Sequence, residues 1–278
     1  MVLRKAWGWL SAQVSQKDNY CCSCGGVLRT ATEQWKKERP VLNRNSKLLV
    51  MCILFQFVHG LATNLARFLH IPQRPLYDLG FALIPKLEPP YEYLCDVVFC
   101  VCIVITMLVW ISPFFVPKSN QSSVGMLTRF LAVLVLAESL RILTFLMTDL
   151  PGPSPRCSPD HPWYNQPKSI MDILWRSCVG FLSNGCGELV FSSRMLIIVL
   201  CLLIISRYGK RRWLTIYSAS LSILYGLLLI AARREYSLSI FIAWYTVPLV
   251  WIVYDSNFPA DDHVDGGSRS QANKQLEP

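Results

Sequence analysis

Six stretches of this chain stay almost uncharged for about 20 residues each, the length of helix that crosses a hydrocarbon layer of about 30 Å. They lie at 48–66, 94–116, 124–147, 188–206, 213–232 and 236–254. A soluble domain would spread its apolar residues at a period of 2 or 3.6. Here a hydrophobic share of 53% is gathered into blocks, and only 16% of the 278 residues are charged. The fold class that follows is all-α, a multi-pass membrane protein with six transmembrane helices. Three parts are expected: a basic N-terminal segment (1–47), a six-helix membrane domain (48–254) and an acidic, Gly/Ser-containing tail (255–278) of the composition that stays disordered. Residues 1–16 hold basic residues but no unbroken apolar run, so no secretory signal peptide is read there.

The net charge of +9 would point to nucleic acid in a soluble protein, but no RNA- or DNA-binding motif accompanies it. In a membrane protein it marks the cytosolic loops. The cluster in 1–47 falls on one side with Lys118, Arg207, Lys210, Arg211 and Arg212, so both termini are expected in the cytosol. The Pro-rich loop after span one, the 148–187 loop and the 231–236 turn then face the lumen. Cys157, Cys178 and Cys186 would meet an oxidising compartment there, where two of the three can pair. Asn120-Gln-Ser122, a glycosylation acceptor by sequence, would lie in the cytosol and carry no glycan. In the N-terminal segment Trp7, Trp9 and Trp35 are interspersed with Lys and Arg, a composition suited to an anionic membrane surface or to a disordered tail. Cys21, Cys22 and Cys24 lack a nearby histidine and make a poor zinc site; palmitoylated and unmodified thiols are both open.

Charges inside membrane helices are costly and usually face the bundle interior. Arg129, Glu138 and Arg141 fall in span three, and Glu138 and Arg141, three apart, share a helix face. Arg141 is therefore read either as Glu138's ion-pair partner or as a lipid-phosphate ligand. Residues 169–182 show helical spacing broken by Asp172, Arg176 and Ser177, as in a helix lying on the membrane. The segment Gly185-Cys-Gly-Glu-Leu-Val-Phe-Ser-Ser-Arg-Met195 opens span four with glycines, serines and an arginine. Arginine matches phosphate oxygens bidentately, and a helix N-terminus adds backbone donors. Arg141, Ser192, Ser193 and Arg194 are thus expected to hold a lipid phosphate at the lumenal surface. Arg233 and Arg234 read rather as interfacial anchors.

Three blocks carry a family resemblance. They are Arg141-Ile-Leu-Thr144 continuing through Leu150-Pro-Gly-Pro153 to Cys157, the 185–195 segment, and Arg234-Glu-Tyr-Ser-Leu-Ser-Ile-Phe-Ile-Ala-Trp-Tyr-Thr246. Pro75-Leu-Tyr-Asp78-Leu-Gly80 is a weaker fourth. In order and position they resemble the sphingomyelin synthase family, particularly its inositol-phosphorylceramide synthase branch, and the chain looks like a divergent plant member. The resemblance implies six spans with cytosolic termini, and transfer of a phosphorylated head group from a phospholipid to ceramide with release of diacylglycerol. It also implies a lumenal triad of two histidines and an aspartate, in which one histidine attacks phosphorus and the other assists the leaving group.

At those positions this chain has Arg194, Glu235 and Ser239. Arginine stays protonated and can neither attack nor shuttle a proton. A carboxylate at 235 could attack phosphorus, while serine does not replace the aspartate's charge. Of the four histidines, His59, His70, His161 and His263, none lies in the blocks. The expectation is a lipid-binding modulator of sphingolipid biosynthesis without the triad, in which Arg194 and Glu235 form an ion pair. The alternative is an active ceramide head-group phosphotransferase using Glu235 or a displaced histidine. Expected partners are membrane lipids (ceramide, diacylglycerol or an anionic phospholipid) and proteins of sphingolipid synthesis, with no cofactor, metal or nucleic acid. The expected location is the endoplasmic reticulum membrane, or alternatively the Golgi.

Overall fold

The computed structural model describes residues 24–88, 91–116, 121–154, 157–158, 160–161, 164, 166–179, 186–209 and 211–258. Among these every regular element is a helix: α1 (Cys24–Leu69), α2 (Leu79–Leu83), α3 (Tyr93–Phe115), α4 (Ser123–Met147), α5 (Ile170–Val179), α6 (Ser193–Tyr208), α7 (Arg212–Ala231) and α8 (Ser237–Asn257). Five are long and apolar enough to cross a membrane: α3, α4, α7, α8 and the Arg29–Leu69 part of α1. Residues 1–23, Asn120, Gly185 and 259–278, on which several expectations fall, lie outside the described residues.

The fourth expected span, 188–206, differs from its expectation. Its helix, α6, begins at Ser193 rather than at 188 and has 16 residues, about 24 Å. Residues 188–192 are not helical because their polar groups are otherwise engaged. The Ser192 hydroxyl accepts the Met195 N–H at 3.0 Å as an N-cap, and Arg141 takes the carbonyls of Phe191 and Glu188. A short helix suffices because α6 is the hub of the bundle. It packs on α3, α4, α7 and α8, and its buried residues Leu196, Ile198, Val199, Leu200 and Cys201 cover every face, as expected of a helix apolar all round. The outer helices turn apolar residues outward instead, such as Met51 and Leu54 on α1, Val104 and Leu108 on α3, and Leu249 and Ile252 on α8.

Helix directions follow from side-chain contacts. Gln56 of α1 reaches Glu138 of α4, and His70, just past α1, reaches Asp149, just past α4. The two helices are therefore parallel. Tyr208 at the end of α6 meets Gln121 before α4, and Asp255 near the end of α8 meets Arg129 near the start of α4, so α6 and α8 run the other way. Glu38 and Asp255 thus lie at the same end of the bundle.

The N-terminal segment is not separate from the first span: residues 24–47 continue into it as one helix of 46 residues that includes Pro40. Glu38 fixes it. This side chain is 0% exposed, and its carboxylate accepts from the Ser122 hydroxyl (2.6 Å) and the N–H groups of Ser123 (2.7 Å) and Val124 (3.0 Å). Gln34 adds a fourth bond at 2.9 Å. A carboxylate satisfies the unpaired donors of a helix N-terminus and complements its dipole. The amphipathic helix expected at 169–182 is α5, with an unexpected orientation: Ser177 is buried against Gly60 and Asn64 of α1, while Ile170, Met171 and Trp175 are exposed.

Candidate functional site

The site is built where the entrance to α6 meets the turn before α8. The Ser192 N–H donates to Ser239 O at 3.3 Å, and the Ser192 hydroxyl hydrogen-bonds the Glu235 carboxyl. Positions 194, 235 and 239 are therefore brought to one place. Glu235 is 8% exposed, and its Oε2 has no hydrogen-bond partner. Burial raises its pKa above the usual carboxylate range, against the Ser192 hydrogen bond and the charges of Arg194 and Arg141. Ser239 is 1% exposed and spends its hydroxyl proton on Tyr236 O at 2.7 Å, within its own turn.

Arg194 has a carboxylate neighbour besides the expected Glu235, whose carboxyl also feels its charge. Arg194 Nη1 stands 3.5 Å from Asp96 Oδ1 in the first turn of α3. Arg234 holds the same carboxylate with two nitrogens, at 2.7 and 3.0 Å, so it pairs with protein rather than reaching out as an anchor. Asp96 is half-exposed and lies between the two guanidinium groups. Arg233, in left-handed backbone at φ 54, donates to Phe81 O and Ile84 O at 2.8 and 3.0 Å and closes the C-terminus of α2.

Arg141 also differs from both of its readings. It is 1% exposed. Its Nε donates to Phe191 O at 2.7 Å, Nη1 lies 2.7 Å from His59 Nε2, and Nη2 lies 2.5 Å from Glu188 Oε2. Arg67 Nη2 stands 3.8 Å from the other Glu188 oxygen. Glu138 instead takes Gln56 at 2.7 Å, with His59 Nδ1 at 3.6 Å. Arg141 thus fastens the 186–192 segment to α4. Of the four residues expected to hold phosphate, Ser192 is buried as the cap of α6, Ser193 is half-buried at its first position, and only Arg194 has a partly exposed charged group.

Other loops close around this place. Cys157 and Cys186 form a disulfide, leaving Cys178 a free, exposed thiol. Asp78 serves two helices: Oδ1 accepts from Phe81 N in α2 and from the Ser237 hydroxyl, and Oδ2 accepts from Ser237 N at the start of α8. Burial would raise the Asp78 pKa, but the bonds from Ser237, Phe81 and Gly80 together hold it below the usual range. Tyr236 donates to Pro151 O at 2.7 Å and accepts from Leu76 N at 3.0 Å. An apolar cleft of about 120 Å³ lies among these pieces, lined by Leu76, Leu150, Leu189, Val190, Tyr236 and Ser239 among others.

Residues 185–256 match the family model described as PAP2 superfamily C-terminal. The chain is 34% identical over 253 residues to a phosphatidylinositol:ceramide inositolphosphotransferase of rice, covering 87% of this chain and 77% of the relative. It is 32% identical over 246 residues to phosphatidylinositol:ceramide inositolphosphotransferase 2 of Arabidopsis thaliana, covering 84% and 79%. The chain belongs to the sphingomyelin synthase family. It also matches the mouse sphingomyelin synthase-related protein 1 at 24% identity over 224 residues, 75% of this chain and 45% of that protein. Among sphingomyelin synthase relatives it is a plant-type member, and the two plant relatives carry the name of a phosphatidylinositol:ceramide inositolphosphotransferase.

Two charged residues at this place were not singled out by sequence reasoning. Asp96 was passed over as the polar edge of span two, and Glu188 as the first residue of span four. The available signal was a charge inside an apolar block, which needs a partner. The sequence alone does not identify that partner, because the pairs are 47 and 138 residues apart.

Proposed function

We propose that this protein keeps the lipid site of the sphingomyelin synthase family without its triad, and acts as a lipid-binding modulator of sphingolipid biosynthesis. The carrying observation is the state of positions 194, 235 and 239. Arg194 is permanently charged and faces Asp96. Glu235 is buried and its pKa is pushed up by that burial, which disfavours the carboxylate form that would have to attack phosphorus. The Ser239 hydroxyl is turned to its own backbone. None of the three can pass a proton between an attacking and a leaving oxygen. The ligand is a membrane lipid, ceramide, diacylglycerol or an anionic phospholipid, and the effect on synthesis runs through partner proteins.

The accompanying topology has six crossings, α6 being the fourth in chain order, with both termini in the cytosol of an endoplasmic reticulum or Golgi membrane. The Cys157–Cys186 disulfide supports it, since it needs an oxidising compartment, and Arg207, Arg211 and Arg212 fall at the opposite end.

A second reading is supported by one pair. His70 Nδ1 lies 2.8 Å from Asp149 Oδ1, and its Nε2 is buried without a partner, the arrangement of an oriented base. In this reading the protein is a ceramide head-group phosphotransferase using a displaced histidine. One assay separates the two. Purified protein is given fluorescent ceramide with phosphatidylinositol or phosphatidylcholine. The modulator reading expects no transfer. Transfer abolished by His70→Ala or Glu235→Ala would overturn it in favour of catalysis. Transfer appearing only in the triple variant Arg194→His, Glu235→His, Ser239→Asp would show that the pocket remains and the chemistry was lost.

A further inference from the structure

Arg194 and Arg234 approach one carboxylate from two elements, α6 and the turn before α8. Arg234 presents two N–H groups to the two Asp96 oxygens, the fork by which arginine also takes a phosphate. The three members differ in exposure. The side chains of Arg194 and Arg234 are 23% and 14% exposed, that of Asp96 53%. The cations are thus set into the protein, and the anion is the part that water reaches. Asp96 also has somewhere to go, because in the first turn of α3 it is stabilised by the helix dipole without either arginine.

A second observation points to a missing occupant. The Tyr225 hydroxyl, on a residue 0% exposed, and Glu235 Oε2 are both buried with no hydrogen bond of ordinary geometry. Both lie close enough to Arg194 to feel its charge. Buried polar atoms without a well-formed hydrogen bond are costly, and the Tyr225 hydroxyl beside the Arg194 guanidinium marks a place where an acceptor-rich group would be satisfied. A phosphate offers such oxygens.

The geometry points to Asp96 as an internal counter-ion that occupies the phosphate fork of Arg194 and Arg234, so that a phosphorylated lipid head group binds by displacing it. This rests on the head-group reading of the site and adds its regulation. The affinity of the pocket is set by competition with the protein's own carboxylate, and Arg234 is a ligand rather than an anchor. The Tyr225 hydroxyl donates to the phosphate once it is seated.

The test uses the full chain in a maltoside detergent, which carries no phosphate. Binding of phosphatidic acid, phosphatidylinositol and diacylglycerol is measured by thermal protection and native mass spectrometry. Asp96→Asn is expected to bind both phospholipids about five- to tenfold more tightly than wild type, the loss of one competing ion pair, with diacylglycerol unchanged. Arg234→Gln is expected to weaken both phospholipids and to cancel the gain when combined with Asp96→Asn. Equal or weaker phospholipid binding by a folded Asp96→Asn protein, while wild type still prefers phospholipid to diacylglycerol, overturns the counter-ion and leaves the head-group site standing. Should Asp96→Asn fail to fold, undiminished phosphatidic acid binding by Arg234→Gln overturns it equally. No preference for phospholipid in wild type or Asp96→Asn removes both readings. Inorganic phosphate protecting as well as phosphatidic acid would assign a free anion and overturn the lipid.

Discussion

At position 235 a carboxyl group is buried with one oxygen unpartnered, and its proton affinity is raised by that burial. An acid whose folded-state pKa is raised stabilises the fold fully below its unfolded value, near about 4.3 for glutamate, and loses that contribution as pH rises through the folded value. Glu235→Gln removes the titration and keeps a neutral donor. The melting temperature of wild type relative to Glu235→Gln is therefore expected to fall steadily as pH is raised from about 4.3; parallel curves would count against a buried, protonated Glu235. Arg141 and Glu188 make the opposite case. Both are buried and each supplies the other's charge. Removing one partner leaves the other uncompensated, so Glu188→Gln should cost about 3–5 kcal/mol, read as a lowered unfolding midpoint in detergent.

Among the elements, α1 carries two locks, Glu38 at one end and His70–Asp149 just past the other. Glu38→Ala strips four hydrogen bonds from a charged acceptor that is fully buried. At about 1.5–3 kcal/mol for one such bond to a charged group, two of the four already imply at least about 3 kcal/mol, so a loss of at least that size is expected, with faster proteolysis near Ser122. The helices of this fold were legible because apolar blocks of span length leave few alternatives. The start of α6 was not, because Glu188-Leu-Val-Phe191 is apolar enough to continue a helix. Contacts from distant elements, the Arg141 guanidinium on Phe191 O and Ser239 O on the Ser192 N–H among them, hold it extended. Likewise Glu38 reads as one acid within a basic run, and nothing local says that it caps a helix beginning 85 residues later. The positions of Arg194, Glu235 and Ser239 were legible from the family blocks; their partners, set by tertiary contact, were not.

For the whole molecule, the disulfide and the charge distribution make a joint statement about sidedness. An Asn-Gly-Thr acceptor inserted after Asp160 is expected to be glycosylated in microsomes while Asn120 is not; the reverse pattern would invert the protein. The Cys157–Cys186 link spans a sequence separation of 29, for which chain entropy gives a stabilisation of about 3–4 kcal/mol. Cys157→Ser should lower the midpoint accordingly, and reductant should affect wild type but not the variant. The recessed entrance of α6 has a consequence of its own. Phe191 is held at the level of Arg141, six residues before α4 ends at Met147, about 9 Å below that end. A lipid that reaches this floor has to sink its polar end below the plane of its neighbours. On the proposed lipid reading the site is thus a well in the leaflet rather than a ledge upon it, with entry governed by how far the surrounding bilayer lets a head group descend.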